Sequence, residues 1–310
     1  MKDNFFGKLN FGLLTLLIFQ LFGSLFPLNE FNDDEKMNIE SAKKNIKVFD
    51  LSDEDKLWID QTLDAMPLYD KCAQIFMPGV FGKALDQNSK EFQFALEMVK
   101  VHGIGGIVIS TGNVEETSSM ISELQKNSKI PLLVAADFEN GIGMRINATN
   151  TFPHNMALGS TFNSEYAIET GRATAIEAMM LGVNINFAPV ADVNNNPGNP
   201  VINLRSYSED KEIVSEFCLA FTRGSLDAGV IPTAKHFPGH GNTKTDSHLD
   251  LPVINGSKTS LMENELKPFI HLIENEVPAI MTGHLNVPAY EKNEKVPASL
   301  SYSIVTKLLK

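Results

Sequence analysis

Short apolar runs alternate with longer stretches of helical periodicity along most of the chain, and this alternation limits the fold more than any other feature. The runs lie at 75–78, 104–110 (IGGIVIS), 131–136 (PLLVAA), 183–190, 230–234 and 278–282 (PAIMT). Helical spacing of apolar residues occupies 91–101, 114–126, 164–181, 210–228 and 258–274. Further helices are expected at 57–66 and 68–74, on either side of Pro67, and another begins within 301–310. The buried faces are read from Phe94, Leu96, Met98 and Val99 in one helix, Met120, Ile121 and Leu124 in the next, and Ile168, Ala175, Ile176 and Met179 in the third. Gly182 and Gly229 stand where two helices should end. Runs that are apolar throughout suit strands buried on both faces, so the pattern predicts an α/β fold with a parallel sheet covered by helices.

The candidate reactive residues Asp137, Asp192, Lys235, His236 and His284 all follow apolar runs. A (β/α)8 TIM-type barrel gathers its reactive groups at that end of its strands. No GxGxxG or GxxxxGK[ST] turn is present, which disfavours a nucleotide-binding, doubly wound sheet. Six βα units are legible, against the eight of a closed barrel, so 53–310 is expected to hold an incomplete one.

The formal charge of −12 would repel phosphate backbones and argues against nucleic acid as a partner. Two distant cysteines, Cys72 and Cys218, provide neither a disulfide framework nor a CxxC metal pattern, and both are expected as small buried groups in helices. Lys2 and Lys8 precede an apolar run over 11–26, the layout of a signal peptide. Its cleavage site is poor, so 1–28 is read as a signal peptide or an uncleaved membrane anchor, ahead of a buried helix. A polar, charged, flexible leader follows over 29–52. An exported protein, periplasmic, extracellular or membrane-anchored, follows from the signal reading.

The densest chemistry lies in Lys235-His236-Phe237-Pro238-Gly239-His240-Gly241, continuing through Asp246-Ser247-His248. His236 and His240 have the four-residue spacing of a helical metal pair, but Pro238 and Gly239 between them exclude a helix, and zinc is rejected. His240 is expected to order the loop.

This segment resembles the KHFPGHG…DSH stretch of family 3 glycoside hydrolases, in particular the β-N-acetylglucosaminidase branch. Three other segments carry the same resemblance. Asp137-Phe138-Glu139-Asn140-Gly141-Ile142-Gly143-Met144-Arg145 is similar to DxEGGxVxR, with Asn140 and Ile142 departing from it. Residues 187–193 (FAPVADV) are similar to FAPVxDV, and 199–207 (NPVINLRSY) to NPxIxxRSF. The likeness runs from about residue 58 to the end of the chain.

The resemblance implies hydrolysis of terminal, non-reducing β-N-acetylglucosamine residues, plausibly in peptidoglycan fragments, with retention of configuration. Asp246 and His248 would form the acid/base dyad, a histidine being able to give and take a proton near neutrality while the carboxylate sets its tautomer. Asp137, Arg145, Arg205, Lys235 and His236 would bind the sugar, with His284 and Asp192 as further candidates. No metal and no organic cofactor is implied. The family's nucleophilic aspartate, which follows strand seven, has no counterpart here and is expected beyond Lys310. The alternatives are an inactive truncated or sugar-binding remnant, poorly folded because a partial barrel leaves two strand edges open, and a family 3 β-glucosidase. The Asp246–His248 pair argues against the glucosidase.

Overall fold

The computed structural model describes residues 51–82, 89–243 and 251–310. The segment at 1–28 and most of the leader lie outside the described residues, as do Asp246 and His248.

Two helices lead in: α1 (Asp53–Ala65) and α2 (Leu68–Ala73). Helix α1 starts four residues before the expected position because Ser52 and Asp55 form a capping box, each side chain satisfying the other's backbone N–H. The strand expected at 75–78 forms instead at β1 (Gly79–Gly82). The N–H groups of Ile75 and Phe76 donate back to Cys72 and Ala73 at the end of α2, so they are not available to a ladder, and Ile75 is 80% exposed. Cys218 is buried as expected, whereas Cys72 is exposed, since α2 buries only Ala73.

Helix α3 (Lys90–Glu97) continues through a π turn at Met98–His102 into Gly103, which has positive φ. Its buried stripe is Phe92, Ala95 and Val99, while Phe94 faces outward. Strand β2 (Gly106–Asn113) and α4 (Val114–Asn127) follow, and the Asn113 side chain caps the helix by accepting from the N–H of Glu116. Met120, Ile121 and Leu124 are buried on its inner face, as the periodicity predicts.

After β3 (Leu133–Ala136) come β4 (Ile146–Asn147), α5 (Asn155–Gly159) and α6 (Glu165–Leu181), the last closed by Gly182 in the left-handed region. The buried face of α6 is made mostly of small residues, Ala167, Thr170, Gly171, Thr174, Ala175 and Ala178, with Leu181 at its end; Ala175 is buried as expected, and Ile176 and Met179 are not. The reason lies in α7 (Lys211–Asp227), which packs directly on it. A Cβ at Gly171 would stand 2.4 Å from the Phe221 carbonyl oxygen, and one at Gly224 would stand 2.0 Å from that of Ile168. The two backbones touch, and larger side chains are displaced to the flanks.

Strand β5 (Ile185–Asn186) is shorter than the expected 183–190, although backbone hydrogen bonds continue on both sides of it. Strand β6 (Ile231–Phe237) is longer than expected, so Lys235 and His236 belong to the strand itself. The single helix expected over 258–274 is two, α8 (Lys258–Glu263) and α9 (Lys267–Glu274). Pro268 lies in the first turn of α9, where its missing N–H costs nothing; it could not have continued α8. Strand β7 (Ala279–Thr282) and the short α10 (Tyr302–Ile304) complete the described chain.

Six strands pair in parallel in the order β1-β2-β3-β5-β6-β7, and β4 adds to β2. Spatial order follows chain order without reversal. That is the winding of a barrel and not of a doubly wound sheet, which has a switch point. β1 and β7 are not joined, so the described strands form an open arc of a (β/α)8-type wall. All six carboxyl ends face the same way, and the site is built there.

Candidate active site

The cluster at the carboxyl ends begins with Asp137, the first residue after β3. Two asparagines, Asn184 half-buried and Asn186 buried, fix the chain here. Asn184 accepts the N–H of Val134 at 2.8 Å. Asn186 of β5 accepts the N–H of Phe138 and donates to its carbonyl, each at 3.0 Å, so its amide extends the strand pairing by one residue. Asp137 and Glu139 flank that anchored residue. Beyond them the loop closes through Phe152 donating to the Asn140 carbonyl and Gly143 donating to that of Asn150. Gly141 has φ 101°, which a residue with a Cβ adopts only with strain.

Lys235, on β6, reaches across to this loop. Its Nζ donates to Asp137 Oδ1 at 2.7 Å and lies 2.7 Å from Glu139 Oε1. Arg205, in the 3-10 turn at Asn203–Arg205, grips Glu139 with both edges of its fork, Nε to Oε2 at 2.9 Å and Nη2 to Oε1 at 2.7 Å. Arg145 donates from Nη2 to Asp137 Oδ2 at 3.1 Å. Two carboxylates and three cations thus interlock. Burial alone would raise the pKa of both carboxyls, but Lys235 with Arg205 holds Glu139 down to about 2, and Lys235 with Arg145 holds Asp137 below its ordinary value. Burial would lower the Arg205 pKa, and Glu139 reverses the effect and raises it. Asp137, Glu139 and Arg205 are therefore held in their charged forms at neutral pH.

A second knot centres on Asp192, which is fully buried. Its Oδ2 lies 2.7 Å from His236 Nδ1, and its Oδ1 accepts the N–H of His240 at 2.6 Å and that of His236 at 3.3 Å. The carboxylate therefore selects the Nδ1–H form of His236 and leaves Nε2 as its outward-facing nitrogen. His240 is buried, and burial pushes its pKa down. Its Nδ1 pairs with Thr243 Oγ1 at 2.7 Å, and Asn199 donates to the carbonyls of His240 and Gly241 at 2.9 and 3.0 Å. Gly241 lies so close to Val193 that a Cβ would stand 1.8 Å from its carbonyl oxygen. His240 orders the loop, and among the described residues no group of three or more His, Cys, Asp or Glu side chains is placed to hold a metal ion.

Residues 67–310 match the family model described as the glycosyl hydrolase family 3 N terminal domain. The chain belongs to glycoside hydrolase family 3. It is 38% identical over 237 residues to beta-hexosaminidase A of Pseudoalteromonas piscicida, a match covering 69% of this chain and 40% of that protein. It is 32% identical over 248 residues to beta-hexosaminidase LpqI of Mycobacterium tuberculosis, covering 77% of this chain and 60% of the relative. The structure of a glycoside hydrolase family 3 beta-N-acetylglucosaminidase from Paenibacillus sp. str. FPU-7 superposes with a TM-score of 0.73 at 38% identity, covering 79% of this chain and 47% of that one. The chain spans about half the length of these relatives.

Within this family 3 domain, Asp137, Arg145, Arg205 and Lys235 come together in one cluster, and His236 and Asp192 form the adjoining dyad. His284 is exposed and its Nδ1 pairs with Ser299 Oγ at 2.7 Å, which leaves it outside both knots. Sequence reasoning gave no role to Glu139, although it is the link between Arg205 and Lys235. It also passed over Asn186 and Asn199. A polar residue inside an apolar strand run, as Asn186 is, was the available signal for the former.

Proposed function

We propose that this chain supplies the sugar-binding and acid/base parts of a retaining family 3 β-N-acetylglucosaminidase acting on terminal, non-reducing N-acetylglucosamine, with peptidoglycan fragments as the natural source. The observation that carries the reading is the Asp137–Lys235–Glu139–Arg205 cluster at the strand ends. Asp137 is the carboxylate whose side chain stays partly open, at 29% exposure, and it can accept from adjacent sugar hydroxyls. Lys235 and Arg145 keep it charged, and together with Arg205 they offer donors around it. His236, oriented by Asp192, presents Nε2 beside them.

In this reading Asp246 steers His248, which protonates the leaving oxygen and then activates water. No residue of the chain is assigned as nucleophile, and no cofactor or metal enters. Export, with the segment at 1–28 as signal or anchor, belongs to the same proposal, supported by Lys2, Lys8 and the apolar run after them.

The test is hydrolysis of chromogenic N-acetylglucosaminide and glucoside by an active polypeptide carrying this chain, with and without His248→Ala. We expect preference for the N-acetylglucosaminide and a loss of roughly 10²–10⁴-fold in kcat/KM for the variant. Undiminished turnover in His248→Ala would overturn the acid/base assignment. Preference for the glucoside would favour the β-glucosidase alternative. Sugar binding without turnover by any form of the polypeptide would favour the binding remnant.

A further inference from the structure

Glu139 is the most enclosed carboxylate of the cluster, with its side chain 4% exposed against 29% for Asp137. It has no surface to offer a substrate. Yet its two oxygens hold three nitrogen groups, Arg205 Nε and Nη2 and Lys235 Nζ, all from residues assigned to the sugar. Its backbone is equally constrained, because Phe138 next to it is clamped at both N–H and carbonyl by Asn186. A carboxylate fixed at its root and fixed at its tip sets the position of whatever it holds. Arg205 also donates from Nη1 to the Val201 carbonyl at 3.1 Å. A guanidinium has five N–H groups, so the two not engaged by Glu139 and Val201 are aimed by those that are. Lys235 Nζ is shared between Asp137 and Glu139, which directs its third proton in the same way.

Buried ion clusters roughly break even in stability against apolar replacements, so stabilisation alone does not account for this arrangement. We propose that Glu139 is a positioning residue for the sugar site: its carboxylate sets the orientation of the Arg205 guanidinium and the Lys235 ammonium, and so the affinity of the site for sugar hydroxyls. The identity of the sugar rests on the reading under Proposed function; the positioning does not.

The experiment uses the 310-residue chain with two variants. Glu139→Gln keeps the volume and removes the charge and one acceptor. Glu139→Asp keeps the charge and withdraws it by one methylene. Two readouts are taken: the Kd for N-acetylglucosamine by calorimetry, and the Arg205 Nε–H resonance in ¹H–¹⁵N spectra, assigned by its disappearance in Arg205→Lys. We expect both variants to raise Kd by about tenfold to a hundredfold, the cost of losing a charged hydrogen bond, and to shift or broaden the Arg205 resonance. Rescue of affinity and resonance by Glu139→Asp would mean that charge suffices, and would overturn the positioning role. If Glu139→Gln does not fold, Glu139→Asp decides alone. If the unsubstituted chain fails to bind the sugar while the Arg205 resonance still moves in the variants, the sugar reading falls and the positioning role stands. An unchanged resonance overturns the positioning role whatever the sugar result.

Discussion

Lys235→Met should cost the domain about 3 kcal/mol or more of stability at neutral pH, measured by urea denaturation. Lys235 is 1% exposed, and its ammonium is the element shared between Asp137 and Glu139. Methionine fills nearly the same volume, so the loss is electrostatic and not a cavity. Without the ammonium, two ionised carboxylates face each other with no cation between them, and each depends on a single arginine. The same substitution should abolish measurable N-acetylglucosamine binding, because it removes a donor and lets Asp137 turn away. A variant as stable as the parent would mean that Arg145 and Arg205 already neutralise the cluster, and that the lysine is redundant to the fold.

Asp192→Ala should have an effect of similar size for a different reason. It removes an acceptor and leaves three N–H groups without it, the backbone N–H of His236 and His240 and the His236 imidazole Nδ1–H. A buried donor left unsatisfied costs roughly 1–3 kcal/mol, so a loss of about 3 kcal/mol or more is expected in the same denaturation assay. Asp192→Asn retains one acceptor oxygen and should fall between the two. Imidazole ¹⁵N spectra give an independent check. The parent should show His236 protonated on Nδ1, and Asp192→Ala should lose that preference. If Asp192→Ala holds the tautomer and the stability, the dyad is incidental and His236 is oriented by its strand alone.

The parallel, helix-covered architecture was legible because strands covered on both faces are mostly apolar, as 104–110, 131–136 and 230–234 are. Asp137 and Lys235 were candidates through the family resemblance and their place after apolar runs, and Arg205 through the resemblance alone; the structure gathers the three with Glu139. What escaped had physical causes that no local pattern carries. Gly171 and Gly224 form a helix contact between segments about fifty residues apart, and so the buried face of α6 is composed mostly of small residues that periodicity ranks low. Pro268 divides a helical stretch whose apolar spacing continues through it. Glu139 reads as one more acid in a polar loop until Arg205 and Lys235, which lie 66 and about a hundred positions away, are folded onto it.

The most direct measurement is a crystal structure of the chain with N-acetylglucosamine. The account predicts the sugar at the carboxyl ends of β3 and β6, with adjacent hydroxyls on Asp137 and on Lys235 Nζ, Arg205 still forked onto Glu139, and His236 Nε2 turned toward the ring. A sugar bound elsewhere on the domain, with Asp137 and Lys235 still engaged only with each other, would contradict it.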